Sequence, residues 1–172
     1  MNSERKDPMP RRTTKDCILA YLAARPNEVA FVRSEFAQCA KSRSAVDRAL
    51  RALIDEEVLV RGGWGIYVRA KRVEFLGREY VGTVTGFDYW YPEVLAKLGV
   101  TWEADSARKA YNEGHTTQVP AWTAVNVGRQ RITRRIAFGK RVLQYERTTG
   151  ARRRKVRPTS ASRRQRATST PS

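Results

Sequence analysis

The segment Ser42-Arg43-Ser44-Ala45-Val46-Asp47-Arg48-Ala49-Leu50-Arg51 gathers the residue types that read a nucleic-acid duplex. An arginine donates paired hydrogen bonds to guanine N7 and O6 or to a phosphate, and small hydroxyl residues let a helix approach the base edges. At helical spacing Arg43, Asp47, Arg48 and Arg51 share one face, with Ser42 and Ser44 at its amino end. A merely solvated helix face has the same look. The next stretch of chain tips the weighting: Gly62-Gly63-Trp64-Gly65 lies between two extended runs, so that Arg61, Trp64 and Arg69 can meet a neighbouring backbone or minor groove. The glycines also read as a tight turn with Trp64 covering the core edge, and no Lys-Ser or Lys-Thr comes after them to make this a phosphate-cradling loop.

Other chemistry is poorly supplied. Cys17, Cys39 and the single histidine, His115, cannot form a four-ligand zinc site. No serine or cysteine stands beside His115 to be activated, so the chain reads as a non-enzyme without cofactor or metal. The two cysteines read as small buried residues rather than redox partners. Asp55, Glu56 and Glu57 read as a solvated helix end. The aromatic residues among 87–91 read mostly as core, with base stacking as the alternative.

Charge is the outlying quantity. Among 172 residues there are 34 Lys and Arg against 17 Asp and Glu, a formal net charge of +17, which favours a polyanionic partner. No stretch approaches the roughly 20 apolar residues of a membrane span, and residues 1–16 lack the apolar centre of a secretory signal. The expected setting is cytoplasmic and nucleoid-associated, with no membrane partner.

The elements that must position the arginines can be read locally. Residues 1–12 read as a flexible leader. Thr13 or Thr14 caps a helix to residue 24, with Ile18, Leu19 and Leu22 as its apolar stripe and Pro26 as its stop. A short extended entry at Val29 and Phe31 precedes a second helix from Ser34, with Phe36 and Ala37 turned inward. A third helix comes next, opened by a capping box of Ser44 with Asp47, and Val46, Leu50, Leu53 and Ile54 form its buried face. Strands at 58–61 and 66–69 close a hairpin over the glycine-rich turn. Three helices and a hairpin within residues 13–70 are the layout of a winged helix-turn-helix.

The second unit, residues 71–147, reads as a small α+β domain. Residues 73–91 stay open between strands and a packed loop. Pro92 in a first helical turn opens a helix at 93–98 closed by Gly99, and Asp105 caps another to Asn112. Three strands are expected at 122–127, 130–137 and 140–147. Their arginines, Arg129, Arg131, Arg134, Arg135, Lys140 and Arg141, form a secondary basic surface suited equally to phosphates or to an acidic protein. Residues 148–172 read as a disordered basic tail: residues 151–172 hold eight cations and no acid, and Arg152, Arg153, Arg154, Lys155 and Arg157 would make non-specific phosphate contacts or act as a solubilising appendage.

Two stretches carry a family resemblance. The run from Arg43 to Ile54, then Val58-Leu59-Val60-Arg61-Gly62-Gly63-Trp64-Gly65-Ile66-Tyr67, resembles the amino-terminal winged helix of AbiEi-family antitoxins. Ala110, then Gly114-His115-Thr116-Thr117-Gln118-Val119-Pro120-Ala121, a strand, Gly128-Arg129 and an arginine-rich strand pair resemble the domain that comes after it in one AbiEi-like group. The resemblance spans residues 13–147. It implies a transcriptional repressor that binds inverted repeats in double-stranded DNA at its own promoter, with a nucleotidyltransferase toxin as partner; a homodimer on DNA would span two half-sites, but dimerisation is not legible in the residues. By position it puts DNA contact on Ser42, Arg43, Ser44, Arg48 and the turn at Trp64. Residues 73–91 and the basic tail depart from the family pattern, so a stand-alone nucleic-acid-binding protein acting on RNA or on DNA without sequence preference is the alternative.

Overall fold

The structure, a computed structural model, describes residues 12–118 and 121–148. Most of the leader, Val119 and Pro120, and the tail from residue 149 onward, including Arg152, Arg153, Arg154, Lys155 and Arg157, lie outside the described residues. The described chain is mixed α+β, and none of its helices is long and apolar enough to cross a membrane.

Helix α1 (Thr14–Ala23) starts where Thr13 and Asp16 form a reciprocal capping box, which satisfies two of the free amides of the first turn. Strand β1 (Ala30–Val32) leads into the expected second helix, a 3-10 helix (Arg33–Cys39) that starts one residue before Ser34. Phe36 points inward as expected, but Ala37 is exposed, because the tighter winding rotates the next residue away from the core. Helix α2 (Arg43–Asp55) is capped by Ser42, whose Oγ accepts from the Ala45 amide at 3.2 Å. The expected box of Ser44 with Asp47 does not form: Ser44 Oγ lies 3.1 Å from Ser42 Oγ, and Asp47 is drawn instead to Arg33.

The next strands, β2 (Leu59–Gly63) and β3 (Ile66–Phe75), are joined by Trp64 and Gly65 alone, since Gly63 already pairs with Ile66. With β1 they form an antiparallel sheet ordered β1-β3-β2. Both faces of this sheet are covered. Phe31, Leu59 and Tyr67 pack with Ile18, Leu22, Phe36, Val46, Leu50 and Leu53, whereas Ala30, Val60, Ile66 and Val68 pack with Phe87, Trp90, Val94 and Leu95. This explains why residues 58–60 and 66–68 read as continuous apolar runs.

Strand β3 continues past the expected boundary at residue 70 and pairs with β4 (Arg78–Thr83) from Ala70↔Thr83 to Phe75↔Arg78. Residues 66–83 thus make one long ribbon, which answers the open reading of residues 73–83. Helix α3 (Phe87–Lys97) begins five residues before the expected start at Pro92. An interior proline costs about 3 kcal/mol, but Phe87, Trp90, Tyr91, Val94 and Leu95 are all buried on one face at about 1.5–3 kcal/mol each, so burial prevails. The expected close at Gly99 is found: its amide donates to Ala96 O, and Val100 donates to Leu95 O.

Lys97 then ties α3 to β1. Its Nζ donates to Ala30 O at 2.7 Å and lies 2.5, 3.1 and 3.3 Å from Glu28, Glu35 and Glu93. Glu93 Oε2 in turn accepts from the amides of Val29 and Ala30. Burial pulls the Lys97 ammonium down, but the carboxylates outweigh it and hold the pKa above the ordinary lysine value.

Beyond α3, β5 (Glu103–Ala104) pairs with β6 (Ala124–Asn126), and β6 lies parallel to β9 (Gln144–Glu146). Asp105 precedes α4 (Ser106–Asn112) as its N-cap residue, though its side chain makes no capping bond. The three expected strands are shorter than their sequence runs. β7 (Ala137–Phe138) and β8 (Arg141–Val142) form a small hairpin, and residues 130–135 take no regular structure, although Ile132 and Ile136 are buried. Val125, Val127, Ile132, Ile136 and Leu143 belong to the same core as α3 and the inner sheet face.

The reading of the two cysteines is overturned. Cys17 on α1 and Cys39 at the end of the 3-10 helix form a disulfide, with Cα atoms 5.5 Å apart. They sit 22 residues apart in sequence, and only the crossing of these two helices brings them together.

Candidate nucleic-acid interface

Helix α2 buries Val46, Ala49, Leu50 and Leu53 and turns its other face to solvent, as the spacing requires. Arg43, Arg48 and Arg51 are exposed there, and among the described residues their side chains make no hydrogen bond or ion pair. Ser42 and Ser44 stand exposed at the amino end. Asp47 differs from its neighbours, because Arg33 Nη2 donates to its Oδ2 at 2.6 Å and also approaches the Arg43 carbonyl at 3.5 Å. That pair neutralises the acid in the first half of the face, Asp55 being the other at its carboxyl end, and fixes the first turns of α2 to the 3-10 helix.

The hairpin tip stands beside this face. Trp64 is 77% exposed, so it does not cover the core edge, and the Arg61 guanidinium lies 5.6 Å from its ring centroid. Gly65 takes φ +69°, a left-handed turn conformation. An open cleft of about 200 Å³ runs between α2 and the hairpin, lined by Arg33, Asp47, Arg51, Ile54, Arg61, Trp64, Gly65 and Tyr67. Burial pushes the Tyr67 hydroxyl above the ordinary tyrosine value. A second opening of about 440 Å³ continues past the tip to Ser34, Lys41, Ser42, Arg43 and Arg134.

Arg69 does not join this surface as expected. Its guanidinium donates to the carbonyls of Leu22, Arg25 and Glu28 at 2.7–2.8 Å, closing the carboxyl end of α1 and the turn after it. An arginine committed to three carbonyl acceptors of its own chain is not available to a phosphate.

The secondary basic residues do not form one strand face. Arg134 lies at the hairpin tip, and Arg129 lines a separate shallow opening with Thr101, Gln130 and Thr148. Arg141 is held by Asp88 at 2.8 Å beside Lys140, Arg108 and the exposed Trp122. Arg131 and Arg135 are exposed on the irregular segment between. In the aromatic group Phe87, Trp90 and Tyr91 are core, and Tyr89 alone is exposed. Glu56 and Glu57 are not simply solvated, since they pair with Lys15 and Arg72.

His115 Nδ1 lies 3.4 Å from Glu113 on the open surface. No group of three or more His, Cys, Asp or Glu suited to a metal occurs among the described residues. Arg33, Lys41 and Tyr67 are contributors that the sequence pattern does not single out. Lys41 was within reach as the cation preceding the Ser42 cap, but nothing local signals that Arg33 meets Asp47 or that Arg134 reaches the hairpin. No family model matches the chain, and no curated protein matches it.

Proposed function

We propose that this chain is a sequence-specific regulator that binds double-stranded DNA through a winged helix-turn-helix, and, on its resemblance to the AbiEi family, that it is an autoregulating antitoxin of a type IV toxin–antitoxin system. The element order α1, β1, 3-10 helix, α2, β2, β3 with sheet order β1-β3-β2 supports the winged-helix reading. In it α2 is the recognition helix. Its 13 residues, about 20 Å long, enter the major groove with Arg43 and Arg48 toward base edges or phosphates, while Arg51, Arg61 and the Trp64 turn track the adjacent backbone.

The observation that carries this is the outer face of α2, where Arg43, Arg48 and Arg51 stand exposed and without side-chain partners among the described residues, directly beside a projecting hairpin tip. Three like charges held on a buried-backed helix gain their counter-charge from a polyanion. A mobility-shift titration against the duplex upstream of its own reading frame tests the proposal. Preference over scrambled duplex is expected, and Arg48→Ala should remove about 1–3 kcal/mol of it. Equal affinity for scrambled duplex at moderate salt defeats the proposal. Co-expression with the neighbouring reading frame, scored by survival, tests the antitoxin role separately.

The eight cations of residues 151–172 favour a second reading, a general nucleic-acid-coating protein. Deleting residues 148–172 separates the two: the regulator keeps its sequence preference at lower affinity, and the coating protein loses nearly all binding.

A further inference from the structure

The second opening at the hairpin tip is built from segments far apart in the chain. Lys41 and Arg43 approach it from the start of α2, Arg33 from the 3-10 helix and Arg134 from the irregular segment before β7. Arg134 Nη1 lies 3.6 Å, and Arg33 Cβ 3.5 Å, from the point a Cβ on Gly65 would occupy, so the two arginines flank the tip. Of these four cations only Arg33 has a carboxylate partner among the described residues.

The position of Arg134 is not that of a loose loop. Tyr145 Oη donates to the Arg134 carbonyl at 2.9 Å, and Arg147 Nη2 donates to Ile132 O at 3.3 Å. Ile132 and Ile136 are buried on either side, and Ile136 forms a β-bridge with Gly63 of the hairpin itself. The main chain on both sides of Arg134 is thus fastened, and one edge of it is fastened to the hairpin. Holding an exposed guanidinium beside Lys41 and Arg43 costs electrostatic repulsion, which is relieved when an anion enters between them. The opening is wide, unenclosed and continuous with the arginine face of α2, which suits a strand that passes through rather than a small ion that is engulfed.

We propose that Arg134 is a phosphate ligand of the DNA interface, gripping the duplex backbone across the cleft from Lys41 and Arg43, so that the carboxy-terminal segment completes the surface that α2 and the hairpin begin. This rests on the reading of the chain as a DNA-binding protein. Arg134 is set apart by it from Arg131, which is exposed on the same segment but does not line the cleft.

The test is the salt dependence of binding for the full chain, measured by fluorescence anisotropy on its upstream duplex and on a scrambled duplex, for wild type, Arg134→Gln, Arg134→Lys and Arg131→Gln. Each phosphate contact contributes about 0.9 to the slope of log affinity against log salt. Arg134→Gln should therefore lower the slope by about 0.9 and the affinity by about eight-fold at 0.1 M salt, equally on both duplexes. Arg134→Lys should restore the slope, which shows that charge rather than folding was lost. Arg131→Gln should leave it unchanged. An unaltered slope in Arg134→Gln, or an equal fall in Arg131→Gln, overturns the proposal and leaves the regulator reading intact, the first of these returning Arg134 to the candidates for an acidic protein partner. If wild type shows no preference between duplexes the regulator reading fails, while the slopes on either duplex still decide the role of Arg134.

Discussion

Replacing Gly63 with alanine should be among the most damaging single-methyl changes in the protein. A Cβ built on Gly63 lies 2.3 Å from the Arg135 carbonyl oxygen, where contacts below 3.0 Å essentially never occur. The obstructing atom is backbone, so it cannot swing aside as a side chain would. Relief requires the segment holding Arg135 to withdraw by roughly 1 Å, against the buried Ile136, its bridge to Gly63 and the Tyr145 hydrogen bond. Overpacking of this kind costs about 1–3 kcal/mol, weakening the Tyr145 hydrogen bond about 1 kcal/mol, and the φ of +156° that alanine would have to keep about 1–3 kcal/mol, so the expected loss is about 3–7 kcal/mol. Gly77→Ala is the internal control. Gly77 has φ +69° and nothing within 4 Å, so only the left-handed backbone penalty of about 1–2 kcal/mol applies. Urea unfolding monitored by tryptophan fluorescence measures both, with Trp90 in the same core as Ile136. A Gly63→Ala loss no larger than that of Gly77→Ala refutes the close approach, and with it the fastening of Arg134 to the hairpin.

The packing implies two further outcomes. Opening the Cys17–Cys39 disulfide frees a loop spanning 22 positions, which by chain entropy costs about 3 kcal/mol, so the thermal midpoint should fall in the presence of a phosphine reductant and the Cys17→Ser, Cys39→Ser double variant should match the reduced protein. Identical midpoints with and without reductant would sink that account. At alkaline pH, burial raises the Tyr145 hydroxyl to about 12 and carboxylates hold Lys97 above its ordinary value. Both groups are protonated more tightly in the folded state, so their stabilisation is complete below about pH 10 and declines as pH rises toward 12. Urea midpoints collected from about pH 8 to 12 should show that decline, shallower in Tyr145→Phe; a midpoint rising over this range contradicts the sign.

Local pattern carried a large part of the fold. The stripe of Val46, Leu50 and Leu53, the Thr13 cap, the stop at Gly99 and the hairpin around Trp64 each lie within one or two helical turns or one strand pair, where spacing and residue type decide the outcome. Local pattern misleads where a distant contact outweighs it. Pro92 has the look of a helix start, but the burial of Phe87, Trp90 and Tyr91 against the sheet carries the helix across it. Asp47 has the spacing of a capping partner, but Arg33, 14 residues earlier, claims it, and three carbonyls from α1 and its turn claim Arg69 in the same way.

By itself the sequence determined that a basic helix backed by Val46, Leu50 and Leu53 would precede a glycine-turned hairpin, because those periodicities are written in consecutive residues. Only the tertiary structure decided which cations share a surface. It gathered Arg33, Lys41, Arg43 and Arg134 at one hairpin tip, sent Arg69 inward, tied Arg141 to Asp88 and joined Cys17 to Cys39. The physical reason is that a side chain's neighbours across the fold depend on strand register and on which faces the core pulls together, and a run of adjacent residues holds no record of either.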